Sequence, residues 1–574
     1  MTNIIGIDLG TTNSLCAVFQ NGQPRLIPNA LGQLLTPSVV GILESGEVLV
    51  GAAAKELAVT SPETCVARFK QWMGSDRKVT LRNRELTPVE LSSFVLRSLK
   101  EDAERFLNGQ VAEAVITVPA YFNDGQRRAT KMAGSLAGLK VRRIINEPTA
   151  AALTYGFHDK KAEKQLVVLD LGGGTFDVTL MEVFDGSLEI VATAGENFLG
   201  GEEFTDRLAA ELCKRIGLPF EQAELTQPLM IARLRQNCEL AKRTLADSDQ
   251  VVVRVPNKDG SAGSESAEVQ ISRHEFARLS QPLLDRLQRP IHKVLRDANL
   301  TPEQVDEVIL VGGATRMPVL QQFVSEQLAC QPRCELNPDQ VVALGAAVQA
   351  ALIQDDAAVE DMVMTDVCPH TLGVEVVKEL GGQLRDGYYT PIIHRNTTIP
   401  VSKEQTLFTV HPNQTVVNIA VYQGESRRVA ENVRLGQVSV NNVPLGPAGQ
   451  PIVIRFTYDV NGILEVEAFM QDSKERFVTV ISTDHSMTDE ELEEAQRRMQ
   501  AFKFYPRDDI RNRHLLHYAE QTVGEVNPLF RDQLESAVDH FETAMSAGDP
   551  EIFDTARTNL LSCLASLGFP FDQA

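Results

Sequence analysis

The chain has 574 residues, of which 43% are hydrophobic and 23% charged, with a formal net charge of −22. That length exceeds what a single core organises, so roughly two to four domains are expected, and the composition excludes fibrous and disordered classes. The acidic balance argues against a nucleic-acid partner, because tracking phosphates requires clustered Lys and Arg.

No basic segment followed by an apolar stretch precedes Ile4, where a strand begins almost at once, so a secretion signal is not expected. The longest nearly uncharged run, Val341–Ile353, is too short to span a bilayer. Eight cysteines scattered over a large chain suit a reducing compartment, and a cytoplasmic location is expected. Cys330 and Cys334 have no second pair or nearby His at ligand spacing, so no metal centre is expected there.

Residues 4–8 (IIGID) form a short apolar strand ending on Asp8, followed by the turn Leu9-Gly10-Thr11-Thr12-Asn13. Residues 59–74 carry Lys70, whose plain reading is a solvated helix charge. Pro88–Leu107 reads as an amphipathic helix with apolar positions Val89, Leu91, Phe94, Val95, Leu99, Ala103 and Phe106. Residues 115–118 are a buried strand, and a helix follows from a cap at Asp124 to Ala137. After the strand at Ile144 and Ile145, Asn146-Glu147-Pro148 opens an Ala-rich helix; on local grounds Glu147 reads as a cap or a first-turn charge.

Residues 169–177 (LDLGGGTFD) repeat the first motif: an apolar strand ends on Asp170, Gly172, Gly173 and Gly174 turn, and a new strand starts at Asp177. Glycines without Cβ let backbone N–H groups approach an anion together, and Thr175 adds a hydroxyl donor. Carboxylates repel phosphate directly, so their use is through Mg²⁺ and its waters. A tight hairpin without ligand is the alternative. The shared plan of GIDLGTTNSLCAVFQNG and VLDLGGGTFDVTLMEVFDG suggests two similar lobes with a nucleotide between them.

Residues 197–204 (NFLGGEEF) make a further glycine turn before a helix expected at 205–217. Residues 308–311 are a strand ending on Gly312-Gly313-Ala314-Thr315-Arg316, and Asn337-Pro338-Asp339 precedes the helix Val341–Ile353. Strands alternating with helices indicate α/β architecture. From about residue 367 short strands separated by turns take over, with a hairpin signal at Asn461-Gly462. A capping box at Thr488 and Glu491 opens a helical C-terminal region, which Gly568 would stop.

Taken in this order, the two Asp-Leu-Gly hairpins, Asn146-Glu147-Pro148-Thr149-Ala150-Ala151, Val311-Gly312-Gly313-Ala314-Thr315-Arg316-Met317-Pro318 and the β region resemble the DnaK-type, 70-kilodalton heat-shock chaperone family over nearly the whole length. The shortened first lobe and the residues around Tyr505-Pro506-Arg507-Asp508 look most like its HscC-type bacterial branch. The resemblance implies a multidomain chain: an actin-like α/β two-lobed ATPase at 1–356, a linker at 357–366, a β-sandwich substrate-binding domain at 367–485 and an α-helical lid at 486–574. It implies an ATP-dependent chaperone active in protein folding and the stress response, with ATP/ADP and Mg²⁺ as cofactors.

By the same resemblance Gly10, Thr11, Thr12 and Asn13 match one phosphate loop, and Gly173, Gly174 and Thr175 the other. Asp8, Asp170 and Asp177 match the acids around Mg²⁺ and its waters. Lys70 matches the lysine facing the γ-phosphate and attacking water, and Glu147 the carboxylate opposite. Glu239, Lys242 and Arg243 match the adenosine-binding helix, and Gly313, Ala314, Thr315, Arg316 and Asp339 its other wall. Leu240 and Ala246 depart from the polar residues of many relatives, which removes one adenosine contact.

Val374, Val376, Leu407, Val410, Val417, Ile419 and Ile463 fall at or near peptide-cleft positions, where each is equally readable as sandwich core. Extended, unfolded polypeptide is therefore the expected client. Arg143, Asn146 and Asp366 match positions that engage a J-domain cochaperone. The linker has only Met362-Val363-Met364 where relatives carry leucines, and residues 255–270 are shorter than the loop that often contacts a nucleotide exchange factor. Two competing readings are an actin-like small-molecule kinase and a weakly cycling holdase or exchange-factor-like relative.

Overall fold

Both Asp-Leu-Gly repeats fold into hairpins of one design. In the computed structural model, β1 (Ile4–Asp8) runs antiparallel to β2 (Asn13–Gln20), and β2 pairs with β3 (Gln23–Ile27) through a turn whose Asn21 and Gly22 both have positive φ. β4 (Glu113–Val118) lies parallel to β1 and β5 (Lys140–Asn146) parallel to β4, giving the order β5-β4-β1-β2-β3. The second sheet repeats the scheme. β6 (Lys164–Leu171), β7 (Phe176–Phe184) and β8 (Ser187–Glu196) are successive antiparallel strands, and β9 (Glu307–Val311) lies parallel to β6. A fifth strand, β10 (Val363–Val367), runs parallel to β8. Of residues 360–366, expected as a plain connector, residues 363–366 thus belong to a strand.

The structure describes residues 4–44, 46–158, 163–184, 187–263, 266–333, 336–359, 362–459, 464–470, 476–481, 510–527, 530–547 and 550–571. Its contacts divide the chain into two units, Met1–Pro369 and His370–Ala574. Among the described residues it is a mixed α/β protein with several sheets and thirteen α-helices.

Local signals set the helices of the first unit. α1 (Pro88–Leu107) starts on a capping box, Thr87 Oγ1 accepting from the Glu90 amide while Glu90 accepts from the Thr87 amide, and buries Leu91, Val95, Leu96, Leu99 and Ala103. α2 (Asp124–Leu136) is capped by Asn123 and not, as expected, by Asp124, because Asn123 and Gln126 exchange backbone and side-chain hydrogen bonds at 3.0 Å. α3 (Glu147–His158) begins on Glu147 itself. α4 (Gly201–Arg215) begins four residues before the expected Thr205, since the Glu203 carboxylate accepts the Gly200 amide at 2.7 Å. α5 (Pro228–Asp247) and α6 (Val341–Ile353) complete the frame of the site.

α3 and α6 lie between the two sheets, sharing one core with Ile4, Val115 and Ile145 of the first and Val168, Met181, Ile190 and Ile309 of the second. Small residues allow this close packing. A Cβ on Gly345 of α6 would overlap the Ala150 carbonyl of α3, and one on Gly6 of β1 would overlap the α6 backbone at Ala346 and Ala347. The remaining faces of the sheets carry separate cores, one with α1 and α2 and one with α4 and α5.

The second unit holds two four-stranded sheets. One orders β11 (Leu372–Leu380), β12 (Gln383–Ile393), β14 (Val417–Gln423) and β15 (Val433–Val440) as β12-β11-β14-β15. The other is β13-β16-β17-β18, from β13 (Val401–Phe408), β16 (Pro451–Tyr458), β17 (Leu464–Met470) and β18 (Arg476–Ile481). Helices α7 (Ile510–Glu525), α8 (Arg531–Ala547) and α9 (Pro550–Ser566) bury Leu515, Leu534, Phe541, Leu560 and Leu564 together, and Gly568, with φ 88°, follows the last helix. Asn461, Gly462, Ile463, Thr488, Glu491 and residues 505–508 lie outside the described residues.

Candidate functional site

The two hairpin turns are built to touch. At the first, a Cβ on Gly10 would overlap the Asn13 carbonyl, while Ser38 braces the turn by donating Oγ–H to Gly10 O at 2.7 Å and its amide to Thr12 O at 2.9 Å. At the second, the Gly172 amide donates to Thr175 O at 3.1 Å. A Cβ on Gly173 would overlap the Thr12 hydroxyl, and one on Gly174 would overlap the Gln71 amide, so glycine alone lets the turns meet. The third glycine motif closes the floor: Gly312, with φ 83°, lies against Leu171 O and the Asp170 carboxylate.

Four acids surround this junction. Asp8 ends β1 and accepts the Thr117 hydroxyl at 3.3 Å, while Asp170 and Asp177 face each other across β6 and β7. Asp177 Oδ1 accepts the Tyr121 amide at 3.1 Å, and its buried Oδ2 has no hydrogen-bond partner. Glu147 is the fourth. Facing them is Lys70, in the tight turn Phe69–Trp72, with Nζ at 2.5 Å from Glu147 Oε1 and 5.7 Å above the Phe122 ring. Lys70 is only 3% exposed, so the solvated-charge reading does not hold, and Glu147 in the first turn of α3 is committed to this pair.

The electrostatics follow from crowding. Burial first, and the charge of Glu147 second, push Asp8 up to about 7 although it keeps some solvent exposure; Lys70 and Thr117 oppose the shift. Burial and then Glu147 also push Asp177 up to about 7, against the Tyr121 and Ala120 amides. Asp170 lies well above the usual carboxylate range, through burial and then Glu147, Asp177 and Asp8. Among the described residues no three His, Cys, Asp or Glu side chains gather closely enough to hold a metal ion directly. The donor set nonetheless fits a hydrated divalent cation: buried acids crowded together, whose mutual repulsion a cation would offset, and one carboxylate oxygen, Asp177 Oδ2, with nothing to accept from.

The remaining expected residues fall on two elements nearby. On α5, Lys242 is buried and donates to Gly201 O at 2.6 Å and Thr205 Oγ1 at 2.9 Å, and pairs with Glu239 at 2.6 Å. Burial lowers the Lys242 pKa; burial opposes, but Lys242 outweighs, in holding Glu239 below its ordinary value. Arg243 reaches Glu239 at 2.9 Å and stays exposed. In the turn Gly313–Arg316, Arg316 reaches Asp339 at 2.9 Å and Asn337 at 2.7 Å, Thr315 donates to Gly312 O at 2.7 Å, and Ala314 packs beside Gly201.

Residues 200–202, Arg68 and Gln71 were not among the expected site residues. A Cβ on Gly200 would overlap Gly174, the Gly201 and Glu202 amides donate to Gly172 O and Gly173 O at 2.9 and 2.8 Å, and Gln71 donates to Gly174 O at 3.2 Å. The pair Gly200-Gly201 was visible as a turn; nothing in the sequence tied it to the other turns.

In the second unit the expected cleft positions split. Val374 and Ile419 are buried, on β11 and β14, whereas Val376, Leu407, Val410 and Val417 keep partial exposure; Ile463 lies outside the described residues. In the first unit, Asn146 Nδ2 donates to both Asp366 oxygens, at 3.2 and 3.1 Å, and Arg127 donates to Asn146 Oδ1 at 2.6 Å. Among the described residues no helix is long and apolar enough to cross a membrane.

The sequence model described as Hsp70 protein matches residues 4–81 and 76–556 of this chain. A relative named chaperone protein DnaK, from Thermotoga neapolitana, is 40% identical over 567 residues, covering 95% of this chain and 93% of its own. With two glycine turns meeting over four acids and a buried lysine, and a match running from the first strand into the last helix, the chain belongs to the Hsp70 family of ATP-dependent molecular chaperones.

Proposed function

We propose that residues 1–356 form an actin-like, two-lobed ATPase, residues 357–366 a linker, residues 367–485 a β-sandwich that binds peptide, and residues 486–574 a helical lid. The HscC-type branch remains part of the same proposal, resting on the shortened first lobe and the sequence at residues 505–508. The observation that carries the ATPase reading is the buried Lys70–Glu147 pair facing Asp8, Asp170 and Asp177 beneath two touching glycine turns.

The turns Gly10, Thr11, Thr12, Asn13 and Gly173, Gly174, Thr175 hold the phosphates from two sides with backbone amides and hydroxyls. Asp8, Asp170 and Asp177 hold a hydrated Mg²⁺, which when bound neutralises phosphate oxygens. Lys70 stabilises charge on the γ-phosphate and, with Glu147, orients the attacking water. Glu239, Lys242 and Arg243 on one side, and the turn Gly313–Arg316 with Asp339 on the other, bracket adenosine. Because Lys242 is occupied by Gly201, Thr205 and Glu239, it acts by fixing the glycine turn more than by contacting the nucleoside.

Extended unfolded polypeptide is the client, held through backbone hydrogen bonds and apolar pockets lined by the partly exposed Val376, Leu407, Val410 and Val417. A J-domain cochaperone engages Arg143, Asn146 and Asp366, and the protein works in the cytoplasm. A match that continues through residue 556 does not favour the small-molecule kinase or the weakly cycling holdase. Peptide release from the full chain after addition of ATP or ADP tests the proposal: faster release with ATP is expected, and identical rates would sink the coupling.

A further inference from the structure

A chain of ion pairs outside the proposed chemistry crosses the mouth of the site. Arg68 precedes the turn that carries Lys70, on the half of the first unit built on β1. Its guanidinium pairs with Glu202 and, at 3.1 Å, with Asp206, both on α4 of the other half. Asp206 also receives Arg235 of α5 at 2.7 Å, and Arg235 pairs with Glu224 at 2.7 Å. Glu202 accepts the Thr12 hydroxyl at 2.8 Å, so the same carboxylate holds the first glycine turn.

These groups are semi-enclosed, with side-chain exposures of 29%, 15%, 26% and 27% for Arg68, Glu202, Asp206 and Arg235, so water screens them only in part. Arg68 has φ 62°, a left-handed backbone that a non-glycine residue keeps only when its surroundings hold it there. Every contact of Arg68 named above lies on the opposite half. Lys70 has its own anchors, Glu147 and the Phe122 ring, and does not depend on Arg68.

We propose that Arg68 is a latch: its ion pairs with Glu202 and Asp206 hold the two halves together over bound nucleotide and set the rate at which nucleotide leaves. The inference rests on the nucleotide-site reading above. For nucleotide to depart, Thr12 must separate from Gly173, and with them the halves joined by Glu202 and Asp206. Arg68 touches no proposed reacting group, so it is a positioning residue. Removing it leaves Asp206 paired with Arg235 and Glu202 Oε1 bonded to the Thr12 hydroxyl, but takes the ionic partner from the buried Glu202 Oε2. Asp206→Asn, which leaves Glu202 paired with Arg68, is therefore the variant that opens the latch without stranding that carboxylate.

The test is stopped-flow release of a fluorescent ADP from the full chain. Arg68→Ala should release ADP about tenfold faster than wild type, the effect of losing two charge-assisted contacts in a network. Asp206→Asn should shift release the same way, and Arg68→Lys should restore part of the difference. Wild-type release should quicken between about 50 and about 500 mM salt, and Arg68→Ala should lose most of that dependence. Single-turnover hydrolysis at saturating ATP should change less than about threefold, which a general loss of structure would not permit. Release by Arg68→Ala within about twofold of wild type, or with undiminished salt dependence, would overturn the latch while leaving the site intact. Failure of the wild type to bind ADP would overturn the site reading and the latch with it.

Discussion

Replacing Lys70 with alanine should stop hydrolysis while leaving nucleotide bound. Lys70 is the ammonium set against four carboxylates, Glu147 at 2.5 Å and the three aspartates Asp8, Asp170 and Asp177; burial first, and the neighbouring carboxylates second, raise the pKa values of the aspartates. Its removal leaves Glu147 as an uncompensated buried charge, which costs roughly 3–5 kcal/mol of stability in the nucleotide-free protein. The chemical step loses a charge stabiliser, so single-turnover hydrolysis should fall ~10²-fold or more, while the amides of both glycine turns keep nucleotide affinity within about an order of magnitude. Lys70→Ala combined with Glu147→Gln separates the two effects. With no orphan charge, the double variant should regain most of the lost stability and none of the rate. Urea unfolding reads the first, and hydrolysis of radiolabelled ATP by excess enzyme the second. Wild-type hydrolysis in Lys70→Ala, or a double variant that recovers rate, would refute the reasoning.

Gly173→Ala should weaken ATP binding sharply, because the added methyl occupies the position of the Thr12 hydroxyl; unchanged affinity by calorimetry would remove the contact between turns from the argument. Asp8 and Asp177 keep protons up to about 7 in the fold but give them up near 3.8 when unfolded, so their contribution to stability is present at acid pH and is lost as pH rises through that window. Mg²⁺ with nucleotide requires the ionised acids, so binding at about pH 6.5 should expel protons, and equal heats in buffers of different ionisation enthalpy would contradict this. In the second unit, Arg455 is buried between Glu404, at 2.5 Å, and Glu467, at 3.2 Å. Arg455→Met should cost roughly 3–5 kcal/mol, read as lost hydrogen-exchange protection in β13, β16 and β17; unaltered protection would place the cation outside the stabilising network.

What the sequence disclosed and what it hid divides by distance along the chain. α1 was legible end to end because its signal, a clean apolar stripe, is local; the structure adds a capping box at Thr87 and Glu90 that fixes the same start. The Asp-Leu-Gly repeat was legible because two copies announced one plan, and the pairings of Asp8 with Leu15 and Asp170 with Asp177 give each copy its hairpin. Lys70 and Glu147 were ambiguous locally, since the 77 positions separating them place no constraint on either until the chain folds. Arg68 was invisible for the same reason: its partner Asp206 is 138 residues away. The start of α4 was misjudged because its cap is a glycine whose amide is met by Glu203, not a Ser, Thr or Asp cap side chain.

Residues 362–366, expected as part of a linker, are the case in which a thin sequence signal concealed a definite structure. Met362-Val363-Met364 falls short of the leucine run that the family resemblance leads one to expect, and weaker docking is the expectation that follows. Instead Val363–Val367 forms a strand beside β8, with Met362 and Val367 buried in the core shared by α3 and α6. This places Asp366 against Asn146, whose amide donates to both carboxylate oxygens while its carbonyl oxygen accepts from Arg127. Burial raises the Asp366 pKa, with Arg127, Arg143 and Asn146 among the groups that oppose the shift, so its charge is held by these neighbours more than by water. Asn146 is peptide-bonded to Glu147, the partner of Lys70. Any displacement of the strand must therefore break hydrogen bonds to the residue adjoining the buried ion pair. Two methionines and a valine are enough for that arrangement, because strand pairing and a single aspartate, not leucine bulk, tie the segment to the site.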